Sequence, residues 1–130
     1  MPDIEVVIAD DEPLSLIGMR SAVADQRDIH VLAECQDSHC LAEAVRHQPP
    51  DVLLINAKLL CDEFGALKEL VSQNEKTRVI VVTSHKDRGF LDGALQCGAK
   101  GVMQTECSVE KIPSAIRKVT TGGVWLELAA

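Results

Sequence analysis

Five short aliphatic runs, each followed by a longer segment whose apolar residues recur at helical spacing, constrain this chain more than any other feature. The runs are Ile4–Ala9, 29–34, 51–55, Arg78–Thr83 and Gly101–Gln104. Between them, Leu14, Ile17 and 19–23 form one helical stripe, Leu41, Ala44 and Val45 a second, and Phe64, Leu67, Leu70 and Val71 a third. A fourth helix covers 87–96, and Ile112, Ile116 and Val119 mark the last. The punctuation agrees with this division. Pro13 stands where a first helical turn tolerates proline, Ser38 and Ser108 are placed as N-caps, Pro49-Pro50 stops the second helix, and Gly98 and Gly122-Gly123 follow helix ends.

Strict strand–helix alternation predicts a parallel sheet with helices on both faces, because each right-handed crossover returns the chain to the same sheet. The expected fold is a flavodoxin-like (βα)5 doubly wound α/β domain. Periodicity leaves the strand order open, but five units in one small domain favour 2-1-3-4-5. A chain of 130 residues is long enough for one core without disulfides or metals. The sequence divides into a domain over 1–124 and the start of a linker or tail over 125–130. The apolar residues are chiefly aliphatic, with two Phe, one Trp and no Tyr, which suits helices packed on a parallel sheet.

The net charge of −7 argues against a surface that wraps nucleic-acid phosphates, which needs clustered Lys and Arg. Direct nucleic-acid binding is not expected. No charged-then-apolar N-terminal run resembles a signal peptide, and no apolar stretch approaches the roughly 18 residues of a membrane span. The expectation is a cytoplasmic domain without membrane contact. Five cysteines, Cys35, Cys40, Cys61, Cys97 and Cys107, form no C-x-x-C pair and read as reduced thiols, most of them small buried hydrophobes. A metal site from His30, Cys35, His39 and Cys40 fits no zinc spacing, and a redox role for Cys61 rests only on its place in a loop near the crevice.

In sheets of this kind the functional crevice lies beyond the carboxyl ends of the strands, near the switch point between the first and the third. Asp10, Asp11, Asn56, Thr83 and Thr105 all fall there. Asp10-Asp11 has two readings: an acidic turn favoured at the N-terminus of the next helix, or part of a divalent-cation site, since hard cations gather oxygens. Asn56 adds only a neutral oxygen, so a Mg²⁺ site from Asp10, Asp11 and Asn56 is expected to be weak, and no cofactor is required. Thr83 reads as a strand-end hydroxyl bonded to local backbone. His85 and Lys86 bring positive charge to the mouth, whereas Lys58 and Lys100 read as solvated.

Taken in order, Ile8-Ala-Asp-Asp-Glu-Pro13, Gly18, Pro50-Asp-Val-Leu-Leu-Ile55, Val79-Ile-Val-Val-Thr-Ser-His85, Gly98-Ala-Lys-Gly101 and Ala115-Ile-Arg-Lys-Val-Thr-Thr-Gly-Gly-Val-Trp-Leu126 carry a resemblance over nearly the whole chain. It resembles the receiver domain of two-component response regulators, most of all receivers of the NarL/FixJ (LuxR-type) class. The resemblance implies two acidic residues for Mg²⁺, a phosphoaccepting aspartate after the third strand, a Thr or Ser after the fourth and a lysine after the fifth. Asp10, Asp11 and Thr83 match. Asn56 stands at the acceptor position and Thr105 at the lysine position, and neither matches. Leu60 replaces a proline common after the acceptor, the loop before Gly65 looks one residue long, and Val102 stands where an aromatic switch residue is common. An amide is too poor a nucleophile at phosphorus, because an acyl phosphate requires a carboxylate. Without the lysine, added phosphoryl charge also lacks its counter-ion.

The resemblance therefore implies a degenerate receiver. It would be a non-enzymatic regulatory module, independent of phosphorylation, acting by protein–protein contact or dimerisation on an attached or partner transcription-regulating output domain. The segment 87–119, opening on Asp87 and closing on Val119, is the expected contact surface, and a C-terminal helix-turn-helix domain in a longer parent protein is the expected output. Two alternatives stay open. One is a conventional receiver phosphorylated on aspartate, seen here as an Asp-to-Asn variant at position 56, which leaves Thr105 unexplained. The other is a small-molecule sensor that uses the vacated pocket.

Overall fold

The computed structural model describes residues 3–60, 64–106 and 109–127. One parallel sheet has the strand order β2-β1-β3-β4-β5-β6. Its strands are β1 (Ile4–Ala9), β2 (Ile29–Cys35), β3 (Val52–Asn56), β4 (Arg78–Thr83), β5 (Gly101–Gln104) and β6 (Trp125–Leu126). The helices are α1 (Pro13–Ala24), α2 (Ser38–His47), α3 (Phe64–Gln73), α4 (Arg88–Gln96) and α5 (Ile112–Thr120), with 3-10 turns at Ala57–Leu60 and Val109–Lys111. This is the flavodoxin-like doubly wound fold that the alternation predicts, lengthened at one edge. Trp125 and Leu126, read from the sequence as the start of a linker or tail, pair with Gly101 and Val102 as a sixth strand. Two residues are too few to carry a period.

Local chemistry explains the small boundary shifts. Asp37, one residue before the expected cap Ser38, caps α2 by accepting from Cys40 N at 2.8 Å. Asp87 does the same for α4, accepting from Phe90 N at 2.7 Å. Asn56 belongs to β3 rather than following it. Gly98 ends α4 at φ +107, a left-handed conformation that glycine adopts without strain. Ser108, the expected cap of the last helix, lies outside the described residues. Among the described residues, no helix is long and apolar enough to cross a membrane.

Side-chain alternation along the strands sorts the core into two layers. Val6, Ile8, Val52, Leu54, Ile80, Val82 and Met103 face α1 and α5, meeting Leu16, Met19, Val23, Ile112, Ile116 and Val119. Val7, Leu53, Ile55, Val79, Val81 and Val102 face the opposite way, against Leu41, Val45, Leu67, Leu91 and Ala94 of α2, α3 and α4. Each fully buried aliphatic side chain contributes on the order of 1.5–3 kcal/mol. The register then decides what lies at the strand ends. Ala9 pairs with Ile55 and Asn56 with Val82, so Asp10 follows the row Val6–Ile8, and Asn56 the row Val52–Leu54, side by side on the α1–α5 face.

Candidate functional site

Asp10 and Asn56 meet because their strands end in register. Asp10 is 0% exposed. Its Oδ1 accepts from Glu12 N at 2.9 Å, and its Oδ2 accepts from Asn56 Nδ2 at 3.2 Å. Asn56 Oδ1 in turn accepts from Lys58 N at 2.9 Å. The amide can sit only this way round, because a carboxylate accepts and a backbone N–H donates. Burial pushes the Asp10 carboxyl above its usual range, against the opposing pull of the Glu12 and Asn56 hydrogen bonds. Asp11 is exposed. The acidic pair is thus one buried, hydrogen-bonded carboxylate and one exposed carboxylate, whose charge beside Asp10 adds to the upward push.

Thr83 is buried, and its Oγ1 accepts from His85 N at 3.0 Å, the local backbone bond that its sequence position suggests. Its carbonyl accepts from Thr105 N at 2.9 Å, which fixes Thr105 beside it at the mouth. The His85 ring stacks on Phe90, with centroids 4.6 Å apart. Lys58 is not simply solvated as its sequence context suggests. It is exposed but paired with Glu12, whose carboxylate raises the Lys58 pKa. Lys86 pairs with Glu106 at 2.8 Å, and Lys100 is exposed. Val102, at the aromatic position, is buried in the α4-side core.

These residues fit Mg²⁺ poorly. Both oxygens of Asp10 already accept hydrogen bonds, and Asn56 turns its NH₂ group, not its oxygen, toward Asp10. Hard cations need a ring of oxygens, and among the described residues no three His, Cys, Asp or Glu side chains form a set that could hold a metal. The thiol-rich reading fails on the same ground. His30 Nε2 lies 3.0 Å from Asp3 Oδ2, and Cys40 Sγ lies 2.8 Å from Cys35 Sγ, whose thiol burial pushes up to about 12. Cys61 and Cys107 lie outside the described residues.

Sequence reasoning found the polar edge of the site and missed what lies beneath it. A cavity of ≈ 140 Å³ runs from Asp10, Asn56 and Thr105 down between the sheet and α1, over Met19, Val82, Met103 and Ile112. The short side chains of Gly18 and Thr105, both in its lining, were the available signal. Gln104 was missed as well. It is buried, its Nε2 donates to His85 O at 2.8 Å, and its Oε1 has no hydrogen-bond partner.

Comparison with known proteins adds the following. The profile of the response regulator receiver domain family matches residues 6–117. The uncharacterized transcriptional regulatory protein YxjL of Bacillus subtilis (strain 168) is 28% identical over 120 residues, which cover 92% of this chain and 55% of that protein. The chain spans about half the length of the curated relatives it matches. Among solved structures, the apo isolated receiver domain of RcsB from Salmonella enterica serovar Typhimurium has a TM-score of 0.89 at 22% identity, covering 96% of this chain and 93% of that one, a likeness of fold. The signal receiver domain of the response regulator NarL from Mycobacterium tuberculosis has a TM-score of 0.85 at 25% identity, covering 94% and 99%.

Proposed function

This chain belongs to the response regulator receiver domain family, and we propose that it works in that family without phosphoryl transfer, as a non-enzymatic module that signals through protein contact. The observation that carries this reading is Asn56. At the end of β3, where a phosphoryl group would need a carboxylate, there is an amide whose two polar atoms are already engaged by Asp10 and by Lys58 N. Three further features support it. Thr105 cannot supply a cation at the end of β5, the Thr83 hydroxyl is engaged by His85 N, and both Lys58 and Lys86 pair with carboxylates. A site with these partners holds Mg²⁺ weakly, through Asp10, Asp11 and Asn56.

The contact surface extends from 87–119 onto α1. Leu14 and Ile17 of α1 are exposed apolar residues, as is Val109 within 87–119, at the turn that packs on α1, and large exposed aliphatics mark protein contact. The partner is a second copy or another protein. Its output, by analogy with the transcriptional regulatory relatives, is an attached or partner helix-turn-helix domain acting in the cytoplasm. The conventional alternative, an Asp-to-Asn variant of a phosphorylated receiver, draws support from the retained Asp10, Asp11 and Thr83, and is opposed by Thr105.

Incubation with acetyl phosphate followed by intact-mass measurement tests the reading. No phosphoryl adduct is expected. A gain of one phosphoryl group on an aspartate overturns it.

A further inference from the structure

Cys35 and Cys40 bring two sulfurs together where β2 hands over to α2. Cys35 closes the strand, Cys40 stands in the first turn of the helix, and the Cys40 thiol donates to Cys35 Sγ at 2.8 Å. Among the described residues the pair belongs to no group of three side chains that could hold a metal. What two touching thiols can do unaided is bond to each other. A disulfide needs its sulfurs about 2.05 Å apart, a closing of roughly 0.8 Å from the distance observed.

The two sulfurs differ in what can reach them. Cys35 is 0% exposed and lies in the core with Leu41 and Val45, whereas Cys40 is partly exposed. Burial pushes the Cys35 thiol up to about 12, so it keeps its proton and is a poor first target. An oxidant arriving from solution meets Cys40.

We propose that Cys35 and Cys40 form a reversible redox site that a hydroperoxide converts into an intramolecular disulfide, Cys40 taking the oxidant and Cys35 resolving it. The Cys40 sulfur attacks one oxygen of hydrogen peroxide. The O–O bond breaks, the other oxygen leaves as water with the Cys40 proton, and Cys40 becomes a sulfenic acid. The Cys35 sulfur then attacks the Cys40 sulfur, the S–O bond breaks, and the departing hydroxide takes the Cys35 proton to leave as a second water. Each sulfur gives up one electron, and the peroxide takes up both. A thiol reductant reverses the change by exchange.

The pair is joined to the strand edge that carries Asp10. Cys35 stands in register with Ala9, and its carbonyl accepts from Asp10 N at 3.0 Å. Closing the disulfide draws the first turn of α2, where Asp37 Oδ1 holds Cys40 N at 2.8 Å, onto the end of β2, and the backbone of Asp10 moves with it. No phosphoryl chemistry enters, so the inference is independent of the reading of Asn56.

The test treats the reduced whole chain with hydrogen peroxide, blocks remaining thiols with N-ethylmaleimide, then denatures it and cleaves before aspartate. Cleavage before Asp37 puts Cys35 and Cys40 on separate peptides, so only a disulfide keeps them in one mass. That linked mass is expected, with its loss on treatment with dithiothreitol and a shifted Asp10 backbone amide signal in the NMR spectrum of the oxidised protein. In Cys35→Ala, dimedone should trap Cys40 as the sulfenic acid. In Cys40→Ser, the linkage and the Asp10 shift should both be lost, with folding of each variant checked by its thermal transition. Cys97, a partly exposed free thiol, is the internal comparison. No Cys35–Cys40 linkage at peroxide levels that oxidise Cys97, a linkage of Cys40 to Cys61, Cys97 or Cys107 instead, or an Asp10 signal unmoved by the linkage each overturns the proposal.

Discussion

Asn56 donates its amide N–H to Asp10 Oδ2 at 3.2 Å, so the residue at the acceptor position satisfies the very carboxylate that an aspartate there would repel. The exchange of acid for amide thus answers Asp10 Oδ2 from within the strand edge.

Restoring the acid undoes that arrangement. Asn56→Asp removes the donor to Asp10 and sets a second carboxylate against it in a buried site. A cost of about 1–3 kcal/mol is expected at neutral pH, because a lost hydrogen bond and like-charge repulsion act together. Mg²⁺ or mild acid should recover most of it. Thermal denaturation with and without Mg²⁺ checks this, and a variant as stable as the wild type in the absence of cation would refute it.

Phosphoryl signalling should not return with Asn56→Asp alone. Thr105, held beside Thr83 by its backbone bond of 2.9 Å, is the position from which a lysine would reach the mouth. The double variant with Thr105→Lys is expected to gain phosphoryl mass several-fold faster from acetyl phosphate and to show the larger change in self-association, because a charge-assisted bond then holds the product. Full modification and a phosphorylation-dependent dimer from the single change would show the lysine argument to be wrong.

Asp10 makes stability depend on pH in a definite direction. Burial raises its folded-state pKa above the usual 3.8, so the folded protein keeps the proton at pH values where the unfolded chain has lost it. Stability falls as pH rises from about 3.8 through the folded pKa. Asp10→Asn removes this dependence. The stability difference between variant and wild type should therefore move in the variant's favour from strong acid to neutrality. Urea melts across that range measure it, and a difference independent of pH rules the mechanism out.

Gly98→Ala should be among the costliest small changes outside the site. The residue sits at φ +107, and a Cβ there would lie 2.6 Å from Val71 Cγ1. Backbone strain and a side-chain clash add, for a loss of about 2 kcal/mol or more. Gly122, at φ +94 with open space around it, should lose less on the same change. Comparing the two thermal transitions separates the steric cost from the conformational one.

What could be read in the sequence was what repeats or what a position demands. The strands and helices announced themselves through their periods, and Asp10, Asn56, Thr83 and Thr105 through their places at strand ends. The amide's bond to Asp10 could not be read, because it depends on the register of Ala9 with Ile55, whereas its bond from Lys58 N, two residues on, is local. Nor could the pairing of Lys58 with Glu12, residues 46 apart in the chain. The cavity escaped for a third reason. Small residues at 18 and 105 signal space only once α1 and β5 are known to face each other across it.

The sixth strand has a mechanical meaning. Trp125 N donates to Lys100 O and Glu127 N to Val102 O, each at 3.0 Å, and the Trp125 indole lies beneath Lys118. Because β6 runs parallel to β5, tension applied along the chain at Glu127 loads both bonds together in shear instead of peeling them one after the other. The force passes into β5, and from there to Thr105 at its far end. A tug at the edge of the sheet is thus carried as a sliding stress toward Thr105.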